Sequence, residues 1–107
     1  MSKQIRLYKT ANGLVPFEQW LENLKDVNGR AKVRVRIKRV VLGNLGDYRS
    51  VGSGIIELRI NYGPSYRVYA GLFGREIIVL LCGGDKGSQD KDISKAREYW
   101  EDYLRRL

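Results

Sequence analysis

Histidine is absent from the 107 residues of this chain, and cysteine occurs once, at Cys82. The first absence excludes imidazole acid–base catalysis, a Ser-His-Asp triad and every histidine metal ligand. The second excludes an internal disulfide and leaves no ligand set for zinc or an iron–sulfur cluster, so no metal and no cofactor are expected. A lone cysteine fits a reducing cytoplasm. No apolar run approaches the ~20 residues of a membrane helix. The opening MSKQIRLYKT carries no apolar stretch of the secretory kind. The expectation is a cytoplasmic protein with no membrane partner. Any chemistry falls to Lys, Arg, Tyr, Asp, Glu or Gln.

Acid is also scarce. Twenty Lys and Arg stand against 12 Asp and Glu, for a net charge of +8. That sign favours polyanionic partners, nucleic acid first among them. The excess is uneven: Arg30, Lys32, Arg34, Arg36, Lys38 and Arg39 crowd a segment that holds no acid between Asp26 and Asp47. Hydrophobic residues make up 43% of the chain, which argues for one packed domain over residues 1–107.

Periodicity divides the chain. Residues 4–9 alternate as a half-buried strand. Pro16, then Phe17, Trp20, Leu21 and Leu24, predict a helix to about Asp26, broken at Asn28-Gly29. The basic segment 30–43 satisfies both a strand and a helix pattern, and its length favours a helix with Val33, Ile37, Val40 and Val41 on the apolar side. From Tyr48 the period is two, with a hairpin loop at 61–65 and a two-residue turn at Gly74-Arg75. Gly83-Gly84 ends the last strand, and Ser88 or Asp90 caps a final helix whose stripe is Ile93, Ala96, Trp100, Tyr103, Leu104 and Leu107. The order predicts an α+β fold: an N-terminal strand, two helices, an antiparallel sheet of three to four further strands, and a C-terminal helix.

The turns set a register. A loop at 61–65 places Arg59 opposite Arg67 and Glu57 opposite Tyr69. The turn at Gly74-Arg75 places Phe73 opposite Glu76, and so Arg67 opposite Cys82. Arg59, Arg67 and Cys82 then form one row, with Lys86 four residues past it and a helix N-terminus beside it. Like charges in one row repel, so an anion is expected to supply the counter-charge, and a phosphate suits the place. The alternatives are an ordinary Glu57–Arg59 surface pair, Arg67 stacked on Tyr69 or Tyr62, and Lys86 as a plain loop lysine. Cys82 reads as a small buried residue rather than a nucleophile. The sequence GGDKG lacks the spacing of a P-loop.

At these residues the chain resembles toxins of the RelE/ParE superfamily, in particular the HigB-like, phage-derived addiction module killer proteins. The resemblance rests on Val15-Pro16-Phe17 with Trp20-Leu21, on Glu57-Leu58-Arg59, and on Gly63-Pro64-Ser65-Tyr66-Arg67-Val68-Tyr69. It continues in Leu81-Cys82-Gly83-Gly84-Asp85-Lys86, Gln89, Ile93 and Ala96. It implies a small sheet with two N-terminal helices packed on it, and a cognate antitoxin as partner. RelE-like members are ribosome-dependent mRNA endoribonucleases that inhibit translation; ParE-like members inhibit DNA gyrase. By the same resemblance Arg59, Arg67 and Lys86 are the catalytic cations. Glu57, Tyr69 and Gln89 are candidates for contact with RNA or for proton transfer. The basic helix, with Arg34 and Lys38, is a candidate surface for RNA or for an acidic antitoxin. Many relatives carry a catalytic tyrosine or histidine near the C-terminus; histidine is absent here, and the tyrosines available, Tyr99 and Tyr103, fall on the last helix. A small DNA-binding module, with the two helices as a helix-turn-helix, is a further alternative.

Overall fold

The computed structural model describes residues 2–107. The chain runs β1 (Gln4–Leu7), α1 (Pro16–Asn23), α2 (Val27–Val41), β2 (Tyr48–Gly52), β3 (Ile55–Ile60), β4 (Tyr66–Phe73), β5 (Ile77–Gly84), a 3₁₀ turn (Lys86–Ser88) and α3 (Gln89–Arg105). The fold is α+β, an open five-stranded sheet in the order β1-β5-β4-β3-β2. Strands β2 to β5 pair antiparallel in sequence, and β1 joins the edge parallel to β5.

Helices cover both faces. On one, Phe17 and Leu21 of α1 and Val33 and Val40 of α2 pack on Ile56, Leu58, Ile60, Val68, Ala70, Ile78 and Leu80. On the other, Ala96 and Trp100 of α3 pack on Ile55, Tyr69, Val79, Leu81 and Cys82. Alternation along β3 sends Ile56, Leu58 and Ile60 to the first face and leaves Ile55 and Glu57 on the second. Among the described residues, no helix is long and apolar enough to cross a membrane.

The first two helices divide earlier than expected. α1 stops at Asn23, and Asp26 caps α2 by accepting from Gly29 N at 2.9 Å. Asn28-Gly29 therefore lies inside the first turn of α2. Gly29 is needed there for room: a Cβ would sit 2.7 Å from Tyr66 Cε2. The buried side of α2 also differs from expectation. Val41 is exposed, and Arg36 takes a place in the interior.

The β3–β4 register is as expected: Arg59 pairs with Arg67, Glu57 with Tyr69, and Ile60 with Tyr66. The β4–β5 register is not. The turn takes three residues, so that Phe73 pairs with Ile77, and a bulge between Tyr69 and Ala70 shifts it again. Ile78 and Leu80, not Val79 and Leu81, join the α1/α2 core. Because β5 is apolar at successive positions, hydrophobic patterning left its parity undetermined.

Gly83 and Gly84 then face opposite layers. A side chain at Gly83 would overlap the Trp20 ring of α1, and one at Gly84 would overlap the Asp92 carboxylate of α3. Both helices approach the sheet closely because these two positions carry no Cβ.

Candidate functional site

The corrected register changes the cation row. Arg67 stands opposite Gly84, and Cys82 stands opposite Tyr69. The row is therefore Arg59, Arg67 and Gly84, and Lys86 follows it by two residues rather than four. Cys82 is a buried packing residue whose thiol burial pushes up to about 12, as a nucleophile would not be.

At the centre of the row's neighbourhood is Glu57, fully buried within the sheet face under α3. Its Oε1 accepts from Arg49 Nε at 2.9 Å, Arg67 Nη1 at 3.1 Å and Arg59 Nε at 3.3 Å. Its Oε2 accepts from the Tyr69 hydroxyl at 2.9 Å and from Gln89 Nε2 at 2.8 Å. Burial alone would raise the Glu57 pKa. The hydrogen bonds from Arg49, Gln89 and Tyr69, with the Arg67 charge, more than offset it and hold the carboxyl at about 2. Tyr69 moves the other way: burial and the neighbouring carboxylate raise its pKa far above the usual phenol range.

This arrangement revises the expected roles. Part of the missing counter-charge comes from inside the protein. Glu57 and Tyr69 present no surface to a substrate; they are interior groups that position the arginines and Gln89. Arg67 is also largely buried, pairs with Glu57 instead of stacking, and keeps Nε without a partner. The outward-facing cations are Arg49 and Arg59, with side chains 45% and 36% exposed. Asp47, itself exposed, approaches Arg59 at 3.7 Å. One buried carboxylate against three guanidiniums leaves the cluster positive. Sequence reasoning passed over Arg49, and the turn after Gly52 could not have found it: with Gly52 opposite Ile55 a regular ladder would put Arg49 across from Leu58, and a bulge between Ser50 and Gly52 moves it to Glu57.

Lys86 is exposed in the 3₁₀ turn. Asp85 fixes that turn, accepting from Gly87 N at 2.8 Å and Ser88 N at 3.2 Å, and the Lys86 amide donates to Pro64 O in the β3–β4 loop at 3.3 Å. Asp85, and neither Ser88 nor Asp90, supplies the capping side chain that leads into α3. Gln89 reaches Glu57 from the first residue of α3.

Arg34 and Lys38 are exposed on α2, but nearly half a turn from Arg36. Arg36 lies inward and binds carbonyls: its Nε donates to Arg59 O at 2.9 Å, and its Nη2 donates to Leu45 O at 2.5 Å and Asp47 O at 2.8 Å. Burial lowers its pKa from the usual value. A groove of about 560 Å³ runs beside it between α2 and the end of β3, lined by Lys32, Arg39, Arg59 and Tyr62 among others. The two tyrosines of the last helix lie elsewhere. Tyr99 stacks on Tyr8 with ring centroids 5.0 Å apart, and Tyr103 stacks on Trp100 at 5.4 Å.

No family model matches the chain. A protein of Haemophilus influenzae (strain ATCC 51907 / DSM 11121 / KW20 / Rd), described as an uncharacterized protein, is 51% identical over 81 residues. The match spans 76% of this chain and 82% of that protein. The chain belongs to the family of this Haemophilus protein. At that identity and coverage the two share a fold, and the relative's description adds no activity to it.

Proposed function

We propose that this chain is the toxin of a type II toxin–antitoxin module of RelE/ParE kind, acting in the cytoplasm as a ribosome-dependent mRNA endoribonuclease that inhibits translation. The observation that carries the reading is the buried Glu57 carboxylate holding Arg49, Arg59 and Arg67 in one positive cluster, with Lys86 just beyond the row. The resemblance in sequence supports it as well.

In such a reaction the ribose 2′-hydroxyl attacks the adjacent phosphorus and the bond from phosphorus to the 5′-oxygen breaks. The products are a 2′,3′-cyclic phosphate and a 5′-hydroxyl. Negative charge builds on the phosphorane oxygens, where fixed guanidiniums stabilise it without reorganising. Arg59 and Arg49 meet those oxygens, and Arg67 holds its place through Glu57. The 2′-hydroxyl proton passes to solvent water, and the Lys86 ammonium gives a proton to the departing 5′-oxygen and regains one from solvent. Because Glu57 and Tyr69 are closed off, the cluster contributes charge stabilisation, and the ribosome's alignment of the mRNA supplies proximity. An antitoxin that covers this end of the sheet would neutralise the activity.

Induced expression tests the proposal. The expected result is prompt arrest of translation, with cleaved mRNA carrying new 5′-hydroxyl ends, relieved by Arg59→Ala. A DNA-damage response with translation initially intact would replace this reading with gyrase inhibition. Tight binding to duplex DNA at physiological salt, with no growth arrest, would replace it with a DNA-binding module.

A further inference from the structure

The groove between α2 and the end of β3 includes Arg59 in its lining but neither Glu57 nor the other groups that donate to it. Its α2 wall carries Lys32, Val35 and Arg39, residues that recur on one helix face. Its other side carries Asn61 and Tyr62 from the β3–β4 loop. Arg36 lies between, but its hydrogen bonds to backbone carbonyls make it part of the scaffold. Lys32 and Arg39 have no carboxylate partner among the described residues. They are two turns apart, about 10 Å along the helix axis, far enough to meet different phosphates. Lys32 Nζ lies over the Tyr62 ring, 5.6 Å from its centroid, so the ring, partly buried against the core, turns one face to the α2 wall under that ammonium.

We infer that this groove binds an unpaired stretch of RNA, with a base stacked on Tyr62, the Asn61 amide at the base edge, and phosphates on Lys32 and Arg39. The inference rests on the proposed function only for the phosphate next to Arg59. The chemistry selects this occupant. Cations alone suit any polyanion, but an aromatic face beside a two-way amide is what splayed single-stranded bases use. A duplex keeps its bases stacked inward and offers nothing to Tyr62. An acidic peptide would use the cations and leave the ring and amide unread. On stacking, the base displaces Lys32 from the ring, and the freed ammonium meets the adjacent phosphate.

The test is fluorescence anisotropy of the full chain with a short fluorescein-labelled single-stranded RNA across a salt series, without ribosomes. Tyr62→Leu is expected to weaken binding about tenfold and Tyr62→Phe to retain it. Lys32→Ala with Arg39→Ala is expected to flatten the salt slope by about 1.4, the contribution of two phosphates on a single strand. Equal binding of duplex RNA, displacement by polyglutamate as effective as by unlabelled RNA, or indifference to Tyr62→Leu would each overturn the inference. The two readings fail separately. Tyr62-dependent RNA binding by a protein that leaves ribosomal mRNA intact removes the nuclease and keeps the groove. Undiminished mRNA cleavage by the groove variants, together with RNA binding indifferent to Tyr62→Leu, removes the groove and keeps the nuclease.

Discussion

Arg67 Nη1 donates to Glu57 Oε1 at 3.1 Å, with both side chains enclosed between the sheet and α3. Charged groups in such a place are costly unless fully paired. Here the carboxylate also receives Arg49, Arg59, Tyr69 and Gln89. The pairing binds three strands and a helix to one residue, and it aims the remaining guanidinium surface outward.

Replacing that residue should therefore unsettle the whole cluster. Glu57→Gln keeps the shape but leaves Arg67 without its buried counter-charge, at a cost of about 3–5 kcal/mol. Tyr69→Phe removes one donor to the buried carboxylate and should cost about 1.5–3 kcal/mol. Urea unfolding of the two variants measures both; midpoints equal to that of the wild type would mean that the cluster contributes little to stability.

The Glu57 pKa sets a pH dependence. Its carboxyl is depressed from 4.5 to about 2 in the folded chain, so protonation favours the unfolded state. The stabilisation is present above pH 4.5 and is lost as pH falls toward 2. The shift corresponds to roughly 3 kcal/mol. Thermal melts across that range should show a decline that Glu57→Gln largely abolishes. A wild-type curve parallel to that of the variant would contradict the assignment.

Arg59 and Arg67 should separate function from folding. Arg59 is partly exposed, so Arg59→Ala should cost no more than ~1 kcal/mol of stability. If it stabilises phosphorane charge, mRNA cleavage should drop about a hundredfold. Arg67→Ala should lose both, because its partner is buried. Cleavage by folded Arg59→Ala at the wild-type rate would move the site elsewhere.

Arg36 offers the opposite contrast. It lies in the basic segment yet binds the carbonyls of Leu45, Asp47 and Arg59. Arg36→Met should lower stability by about 2–3 kcal/mol, the scale of hydrogen bonds from a charged donor. Its neighbours Arg34 and Lys38 are exposed, and alanine there should change unfolding by less than ~0.5 kcal/mol. Denaturation of the three variants distinguishes them directly.

The close approach of the helices can be probed at two glycines. A methyl at Gly71 would overlap the Trp100 ring, and one at Gly83 would overlap the Trp20 ring. Gly71→Ala and Gly83→Ala should each cost about 1–3 kcal/mol through overpacking. Unchanged unfolding midpoints would show that the helices can retreat without penalty.

Much of the fold was legible because period and turn chemistry are local. Alternation marked β3 and β4, and the loop at 61–65 gave Arg59 opposite Arg67 correctly. The β5 pairing was not legible, since a strand apolar at successive positions accepts either parity, and a bulge is a response to packing. Arg36 misled for a related reason: composition counts charge, and says nothing of the carbonyls that a loop brings to it.

The sequence alone determined the α+β order, the exclusion of histidine chemistry, and the gathering of cations at one end of a hairpin. These follow from spacing and residue type. The tertiary structure decided that Glu57 is the internal counter-ion, that Gly84 rather than Cys82 completes the row, and that Arg49 belongs to the cluster. Those outcomes depend on which strand and helix meet across the sheet. Contacts between residues far apart in the chain are set by packing both faces at once, and no local pattern encodes them.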